Sequence, residues 1–396
     1  MTSTDDALYG LDALPYGVFD PGQGPRVGVR FGPGVVDLAA LSAAAHSPLV
    51  ELFDQPSLDA FLAAGRTVWS QARSKVQEWL STTPSEHGHR LADVDLHQPF
   101  TVADYVDFYS SRVHAENLSQ IFRPGQPPLQ QNWLSLPVGY HGRAGTIVPS
   151  GTPVVRPNGQ RAGAGAGPSE FGPTRKLDLE VELGFVVGRG STLGTPVPGG
   201  DAREHIFGVV LVDDWSARDI QAFEYVPLGP MLGKSFATSI GHWVLPIEAL
   251  DAARIPPPPR EQALHPYLTG WNDMGLDIDF EVRLNGHLIS APRYRDVYWT
   301  PEQQLAHLTI SGASLRSGDL FASGTVSSIG NPGSLIELTL DGRRQLALPD
   351  GRQRTYLEDG DEVVITATAP GPGVARIGLG EVRGTIYPSP IEQEDN

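Results

Sequence analysis

Cysteine is absent from the 396 residues of the chain. Its absence excludes disulfide bonds, thiolate nucleophiles, and iron–sulfur or zinc sites with cysteine ligands. Long apolar runs are also lacking, since segments such as residues 207–212 are far shorter than the roughly 20 residues that cross a bilayer. Residues 1–6 contain neither the basic nor the apolar part of a signal peptide. We therefore expect a cytoplasmic protein without a membrane span.

Basic residues are scarce relative to acidic ones. The chain has 29 Lys and Arg against 46 Asp and Glu, which gives a formal net charge of −17. Nucleic acids and anionic membrane surfaces attract proteins through basic patches. The charge balance therefore argues against either as the main partner, and it fits a protein that holds cations.

The composition predicts a β-rich α+β protein with two domains. The 45 glycines and 35 prolines are spread along the chain, a distribution that favours short strands joined by tight turns. A length of 396 residues exceeds that of one ordinary domain. We predict a small first domain over residues 1–95 and a second domain over residues 96–396.

Hydrophobic patterning and turn residues predict the elements of both domains. In the first domain, strands are expected at residues 25–31 and 34–38, and helices at residues 57–64, opened by a Ser57 cap, and 68–79. In the second domain, strands are expected at residues 154–155, 206–212, 277–284, 335–340 and 362–367. The Gly/Ala-rich insert at residues 162–167 is expected to be mobile.

One segment, residues 176–185, carries carboxylates at every second position: Asp178, Glu180 and Glu182. On a strand these side chains share one face. Three like charges within about 14 Å repel one another unless water or a cation neutralises them. An enclosed face predicts a hard divalent metal such as Ca²⁺ or Mg²⁺, which takes oxygen ligands. The alternative, a half-exposed strand with a solvated acidic face, stays open at this point.

A histidine follows a predicted strand in the segment 106–114. If Ser110 or Ser111 caps a helix, His114 lies in its first turn. A histidine titrates near neutral pH, so His114 is a candidate general base, and Asp107 in the same segment is a candidate metal ligand. The alternative is an ordinary histidine, either on the surface or held by hydrogen bonds.

A second apolar strand runs into the paired acids Asp213 and Asp214, and a helix is expected to start near Ser216. The two aspartates point in different directions, so at most one is expected to join the acidic strand. Arg218 and Gln221 lie three residues apart and therefore share a helix face, where they are able to donate hydrogen bonds to a carboxylate or an oxyanion. The alternative is an N-cap aspartate followed by a surface arginine.

Two glycine-flanked segments hold further candidates. Lys234 lies in an otherwise apolar stretch, residues 229–238, where a lysine is either solvent-reaching or a buried cation paired with acids. Tyr140 lies in residues 136–143, where glycines permit close approach of the backbone to a ligand, although a plain turn is equally compatible.

Taken together and in this order, the segments resemble the fumarylacetoacetate hydrolase family, in its fumarylacetoacetase branch. The motifs that carry the resemblance lie at residues 107–114, 132–143, 177–182, 213–221, 224–230, 232–236, 298–300, 317–325, 333–338 and 357–363. The similarity is nearly continuous from about residue 96 to 385 and looser before that. The blocks Tyr-His-Gly-Arg and Asp-Trp-Ser-Ala-Arg-Asp are specific to the fumarylacetoacetase branch.

The resemblance implies a set of site residues. A Ca²⁺ or Mg²⁺ ion would be held by Asp107, Glu180, Glu182 and Asp214, with a second cation site that uses Lys234 and Thr238. His114 would be the general base, oriented by Glu337, and hydrogen-bond donors to the developing charge would be Arg218, Gln221 and Lys234. Substrate contacts would come from Tyr109, Arg123, Tyr140, Gln221, Tyr225 and Thr325. Asp178 would be a flanking residue that does not bind the metal.

The resemblance also implies an architecture and a reaction. It implies a small SH3-like β-barrel N-terminal domain, a larger mixed β-roll catalytic domain and a homodimer. The implied substrate is a small diketo dicarboxylate that is hydrolysed to fumarate and acetoacetate, the last step of tyrosine and phenylalanine breakdown. Two alternatives stay open: another reaction on the same fold, such as acylpyruvate hydrolysis, hydration or decarboxylation, and a non-catalytic Ca²⁺-dependent binding protein.

Overall fold

The computed structural model describes residues 6–82, 87–163, 165, 167–271 and 275–391. Within these residues the α-helices are α1 (Leu38–Ala44), α2 (Val50–Phe53), α3 (Asp59–Ala63), α4 (Arg66–Thr82), α5 (Arg112–Phe122), α6 (Ala202–His205), α7 (Arg218–Glu224), α8 (Pro301–Thr309) and α9 (Leu335–Leu338). Across the described part of the chain, no helix is both long enough and apolar enough to span a bilayer.

The strands are short and numerous, as the glycine and proline content predicts. Those in the first half of the chain are β1 (Tyr16–Asp20), β2 (Arg26–Phe31), β3 (Gly34–Asp37), β4 (Gly88–Arg90), β5 (Asp95–His97), β6 (Tyr105–Phe108), β7 (Gly139–His141), β8 (Ile147–Pro149), β9 (Val154–Val155), β10 (Asn158–Arg161), β11 (Glu170–Pro173), β12 (Leu177–Asp178) and β13 (Val181–Val187). Those in the second half are β14 (Ile206–Asp213), β15 (Ser216–Ala217), β16 (Thr238–Ile240), β17 (Trp243–Pro246), β18 (Arg254–Ile255), β19 (Gly275–Leu276), β20 (Asp279–Leu284), β21 (His287–Ser290), β22 (Leu320–Ala322), β23 (Leu346–Ala347), β24 (Gln353–Arg354), β25 (Glu362–Pro370) and β26 (Arg376–Tyr387).

The N-terminal elements form around turn and cap residues. Asp37 ends β3, and its side chain accepts a hydrogen bond from the backbone N–H of Ala40 at 2.9 Å, so it caps α1. Helix α4 buries Trp69, Val76 and Leu80 on one face, at helical spacing. Helix α3 begins at Asp59, and its N-cap position is Leu58 and not the predicted Ser57. The Ser57 hydroxyl nevertheless accepts a hydrogen bond from the backbone N–H of Asp59, at 3.3 Å.

One large sheet crosses the predicted domain boundary. Its strands follow the order β4-β3-β2-β1-β17-β14-β13-β22-β6-β7, and the N-terminal strands join it where Tyr16 of β1 pairs with Val244 of β17. Among the described residues, no strand pairing closes β1 to β5 into a barrel. The barrel and the boundary at residue 95 therefore remain predictions.

A second sheet packs across the main hydrophobic core. It has the order β21-β20-β25-β26-β9, and β25 buries every second side chain, as an amphipathic strand does. The strands predicted at residues 154–155, 206–212, 277–284 and 362–367 are confirmed, with bounds that differ by a few residues. The predicted mobility of residues 162–167 falls in part on residues 164 and 166, which lie outside the described residues, and it stays a prediction.

The strand predicted at residues 335–340 is wrong. Residues Leu335–Leu338 form the one-turn helix α9. A short apolar run does not distinguish the two structures by periodicity. Here the backbone N–H groups of Leu335 and Ile336 donate to the carboxylate of Asp178, at 2.7 and 3.0 Å, and not to a neighbouring strand.

Phe61 is expected to stabilise the packing of the N-terminal helices against the large sheet. Its ring lies within 5.0 to 5.5 Å of the rings of Tyr16, Phe53 and Phe207, and Phe207 belongs to β14. Truncating a buried phenylalanine removes apolar contacts and leaves a cavity, so Phe61→Ala should lower the free energy of unfolding by about 3–5 kcal/mol. Urea unfolding measures the change, with exposed Phe171→Ala as the control. An equal effect of the two substitutions would contradict the packing described.

Candidate active site

Four carboxylates converge at adjacent strands of the large sheet. Asp107 lies on β6, Glu182 on β13 and Asp214 directly after β14, and Glu180 precedes β13. All four are buried, and each offers an oxygen within 4.8 Å of the others. The strand register brings them together, since β22 pairs with both β6 and β13. The structure therefore assembles the four residues that the resemblance names as metal ligands.

The acidic segment differs from the single regular strand that its alternation suggests. Asp178 lies in β12 and Glu182 in β13, while Glu180 between them forms an isolated bridge to Ser334. Every residue from Leu177 to Leu183 is buried. The alternative of a solvated acidic face is therefore wrong.

The carboxylate cluster fits a hard divalent cation. Within the described residues, neither oxygen of Glu182 nor Oδ1 of Asp107 has a hydrogen-bond partner. Burial raises the pKa of Glu182 well above its usual range, and the neighbouring charges of Asp107 and Asp214 raise it further. Buried, unpartnered carboxylate oxygens are expensive unless a cation binds them, and an all-oxygen donor set is the one that Ca²⁺ and Mg²⁺ take. Both ions take oxygen ligands of this kind.

Lys234 and Thr238 contact the same cluster. The Lys234 ammonium group donates to Glu180 and, at 2.7 Å, to Oδ2 of Asp214, and the Thr238 hydroxyl donates to Oδ1 of Asp214 at 2.8 Å. Lys234 is buried, so the solvent-reaching alternative is wrong. Although burial acts to lower the pKa of Lys234, Asp214 and Glu180 raise it overall. One lysine offsets one of the four carboxylate charges, and the excess favours a cation.

His114 faces the cluster from the first turn of α5. Ser111 caps this helix, as the sequence predicts, by accepting from the backbone N–H of His114. Nδ1 of His114 lies 2.7 Å from Oε2 of Glu337, and Nε2 lies 3.9 Å from Oε1 of Glu180. Both His114 and Glu337 are buried, so a surface position for His114 is wrong, and its role as a base stays a prediction. The pairing at Nδ1 leaves Nε2 as the nitrogen that faces the carboxylate cluster.

Glu337 is held by three donors that the sequence analysis did not identify. Ser327 and Ser334 donate to Oε2 at 2.9 and 2.7 Å, and Asn117 donates to Oε1 at 2.8 Å. Burial acts to raise the pKa of Glu337, but the charge of His114 and these hydrogen bonds lower it overall. Glu337 therefore remains ionised, and its carboxylate accepts a hydrogen bond from the Nδ1–H group of His114. Asn117 could have been found, because it lies three residues after His114 on the same helix face.

Arg218 and Gln221 share a face of α7, as predicted, although this helix starts at Arg218 and not near Ser216. The Arg218 guanidinium is buried and donates hydrogen bonds to Asp178 at 2.8 Å and to the side-chain carbonyl of Gln221 at 3.2 Å. It also forms an ion pair with Glu180, with 2.6 Å between the charged atoms. The surface-arginine alternative is therefore wrong. Asp213 points elsewhere and accepts from the backbone N–H of Glu180, so only one of the paired aspartates joins the cluster.

The predicted substrate contacts lie at different distances from this centre. The ring of Tyr109 is 5.3 Å from that of His114, and the Tyr140 hydroxyl donates to Asp214 at 3.3 Å. Tyr225 is an exposed residue at the end of α7, and Thr325 is buried after β22. Tyr109 and Tyr140 therefore contact members of the candidate site, and the roles of Tyr225 and Thr325 stay predictions.

Arg123 is set further out, in a cavity of about 330 Å³ that Tyr109 and Trp133 also line. Its guanidinium donates to the side-chain oxygen of Gln130, at 3.0 Å for one of the two bonds. The sequence analysis did not identify Gln130, and nothing in its spacing distinguishes it from a loop glutamine.

The fold and the site define a class of protein. A buried four-carboxylate cluster with an oxygen donor set, a histidine oriented by a carboxylate, and buried cationic donors together indicate a metal-dependent hydrolase.

Comparisons with known proteins identify the family. The family model described as fumarylacetoacetate (FAA) hydrolase C-terminal matches residues 105–387, and that described as fumarylacetoacetase N-terminal matches residues 12–103. The chain is 41% identical to the fumarylacetoacetases of Homo sapiens and of Arabidopsis thaliana, each over 97% of this chain and 97% of the relative. The chain therefore belongs to the fumarylacetoacetase family, and the resemblance found in its sequence motifs is confirmed.

Solved structures show the same fold at low sequence identity. A fumarylacetoacetate hydrolase from Exiguobacterium antarcticum aligns with a TM-score of 0.56 at 18% identity, over 95% of this chain and 99% of that one. A maleylpyruvate hydrolase from Sphingobium aligns with a TM-score of 0.54 at 17% identity, over 95% and 100% of the two chains. The predicted β-rich α+β class agrees with this fold, which has an N-terminal part and a catalytic part.

Removing one carboxylate of the cluster should weaken metal binding. Glu182→Gln replaces an oxygen ligand by an amide at a position where both carboxylate oxygens lack other partners, and we expect Ca²⁺ affinity to fall at least tenfold. Isothermal titration calorimetry measures this affinity directly. Asp213→Asn is the matched control, since Asp213 is a buried neighbour outside the cluster. Unchanged Ca²⁺ binding by the Glu182 variant would rule out Glu182 as a ligand.

Proposed function

We propose that this chain hydrolyses the carbon–carbon bond of 4-fumarylacetoacetate to give fumarate and acetoacetate. The observation that carries the proposal is the buried His114–Glu337 pair, whose free nitrogen, Nε2, lies 3.9 Å from Glu180 of the carboxylate cluster. Membership of the fumarylacetoacetase family, over nearly the whole chain, supports the choice of substrate. The reaction ends tyrosine and phenylalanine breakdown.

His114 acts as the general base. Its Nε2 takes a proton from water, and Glu337 stabilises the imidazolium that forms and keeps the ring in one orientation. The hydroxide adds to the carbonyl carbon of the fumaryl group, and the bond from that carbon to the methylene carbon of the acetoacetate portion then breaks. The proton held by His114 passes to the departing carbon, so water is divided between the two products.

The cation and the buried donors act on the charge that develops. Asp107, Glu180, Glu182 and Asp214 would hold Ca²⁺ or Mg²⁺, which supplies Lewis-acid polarisation of the diketone carbonyls when bound. Arg218, Gln221 and Lys234 are the donors placed beside the cluster to stabilise an oxyanion. The second cation site that the resemblance implies at Lys234 and Thr238 stays a proposal. In the structure both side chains donate hydrogen bonds to Asp214.

Recognition of the substrate requires cationic and hydroxyl groups, because its two ends are carboxylates. Arg123 and Tyr109 line one cavity and are proposed to bind one of these ends. Partial burial and the charges of Asp107 and Asp214 raise the pKa of Tyr140, so its hydroxyl remains a donor. Tyr225 and Thr325 are proposed as further contacts.

His114→Ala should lower kcat by about 10²–10⁴-fold, because general-base catalysis contributes on this scale. The decay of fumarylacetoacetate absorbance, with fumarate and acetoacetate quantified as products, gives the rate. His287→Ala is the matched control, since His287 pairs with Asp350 at the surface. A rate lost with EDTA and restored by Ca²⁺ or Mg²⁺ would support the metal assignment.

The alternatives give different results in the same assay. Turnover of acylpyruvates but not of fumarylacetoacetate would favour another hydrolase of the same fold. Intact Ca²⁺ binding without turnover of any diketo acid would favour a binding protein.

A two-domain organisation and a homodimer complete the proposal. The two family matches meet at residues 103–105, which supports a boundary near residue 95, and the pairing of β1 with β2 and β5 supports an SH3-like barrel before a β-roll. An exposed apolar segment supports the dimer; its apolar side chains are Phe223, Tyr225, Val226, Leu228, Met231 and Leu232.

Leu228→Asp should dissociate the dimer, because Leu228 is 96% exposed and a charge there opposes burial against a second copy. Size-exclusion chromatography with light scattering measures the mass. Leu193→Asp, at a leucine that is 77% exposed elsewhere on the surface, is the control. Equal masses for the two variants would place the interface away from this segment.

A further inference from the structure

Asp178 is a buried carboxylate that belongs to neither the metal cluster nor the His114–Glu337 pair. Its exposed fraction is 0%, and it accepts four hydrogen bonds. A buried carboxylate with this many hydrogen bonds has a fixed position, and the same hydrogen bonds fix the positions of the donor groups. The partners of Asp178 belong to both halves of the proposed machinery.

The first set of partners fixes the helix that carries Glu337. Oδ1 of Asp178 accepts from the backbone N–H of Leu335 at 2.7 Å, and Oδ2 accepts from that of Ile336 at 3.0 Å. These are the first two residues of α9, and Glu337 is the next. The position of the carboxylate that orients His114 therefore depends on Asp178.

The second partner is Arg218. Nε of Arg218 donates to Oδ2 of Asp178 at 2.8 Å, which leaves the two terminal nitrogens for Glu180 and for the side-chain carbonyl of Gln221. Since Arg218 occupies the carbonyl of Gln221, the amide nitrogen is the group that remains to donate to a ligand. Asp178 thus sets the orientation of Arg218, and Arg218 sets that of Gln221.

Asparagine has nearly the shape of aspartate but is unable to replace it here. Two donors meet Oδ2, from Ile336 and Arg218, and two meet Oδ1, from Leu179 and Leu335. An asparagine places its own N–H₂ group against one of these two pairs, so donor faces donor whichever way the amide turns. It also leaves the buried charge of Arg218 without this counter-charge.

We propose that Asp178 is a positioning residue that holds Arg218 and the Glu337 helix in one arrangement, so that catalysis depends on its charge although it touches neither metal nor substrate. This inference rests on the proposed hydrolysis. It also revises the sequence-based expectation that Asp178 is a mere flanking residue.

The kinetic test compares Asp178→Asn with Asp213→Asn, a matched change at a second buried aspartate that accepts one backbone hydrogen bond. We expect Asp178→Asn to lower kcat about 100-fold or more with KM within about threefold, because misplaced donors act on the transition state. We expect Asp213→Asn to stay within about threefold of the parent in both constants. A kcat for Asp178→Asn within threefold of that control would overturn the proposal.

A double variant tests whether Asp178 acts through Arg218. If it does, the two substitutions should not act independently. The fold-decrease in kcat of the double variant Asp178→Asn/Arg218→Gln should be at least tenfold smaller than the product of the fold-decreases of the two single variants. Losses that multiply would overturn the coupling. Ca²⁺ affinity of Asp178→Asn should stay within about tenfold of the parent, whereas a collapsed site would lose it. If Asp178→Asn does not fold, Arg218→Lys takes its place, because lysine is unable to bond Asp178, Glu180 and Gln221 together; a parental kcat for that variant would contradict the proposal.

A readout without substrate separates this inference from the proposed function. ¹⁵N NMR of labelled histidine reports the tautomer and hydrogen bond of His114 directly. We expect Asp178→Asn, but not Asp213→Asn, to shift the His114 Nδ1 signal, since Glu337 moves with its helix. If the parent protein turns over no fumarylacetoacetate, this measurement still decides the role of Asp178, and an unshifted signal would overturn it.

Discussion

Mutual repulsion among four buried carboxylates is the constraint on which the rest of the site depends. Asp107, Glu180, Glu182 and Asp214 bring oxygens within 4.8 Å of one another at zero or slight exposure. Such a group is stable only with positive charge beside it, because burial and like charges both penalise ionisation. Lys234 and Arg218 supply part of that charge through direct contacts. The negative charge that these two residues do not offset favours the binding of a divalent cation, because such an ion relieves the repulsion among the carboxylates.

The rigid sheet makes this arrangement possible. The carboxylates lie on or next to β6, β13 and β14, strands of one sheet whose register is fixed by backbone pairing and which are buried on both faces. A strand whose neighbours are fixed on both sides does not relax to separate the charges. His114, the proposed general base, instead belongs to a helix, and its partner Glu337 lies 223 residues away on a one-turn helix that hydrogen-bonds to Asp178. Asp178 and Arg218 connect these two parts, so the proposed base and the proposed oxyanion donors share one hydrogen-bonded framework.

Much of the site was predictable from sequence, but for different reasons. The alternation of Asp178, Glu180 and Glu182 indicated a cation, and the Ser111 cap placed His114 in a first helical turn. The family motifs then selected Glu337, which no local pattern links to His114. The short run at residues 335–340 was misassigned because its hydrogen bonds go to a side chain distant in sequence. The contacts of Ser327 and Ser334 with Glu337, and of Gln130 with Arg123, could not be predicted from sequence. Serine and glutamine are common in loops, and these contacts depend on residues that are distant in the chain or on the path of a loop.

By itself, the sequence determined the family, the residue types of the site and the β-rich class, because motifs and strand periodicity are local properties of the chain. Only the tertiary structure decided that Lys234 and Arg218 are buried cations that contact the acidic cluster. It also decided that Asp178 accepts hydrogen bonds both from Arg218 and from the helix that carries Glu337. The physical reason is that burial and charge neutralisation depend on which distant segments meet, and strand pairing between residues far apart in the chain sets those meetings.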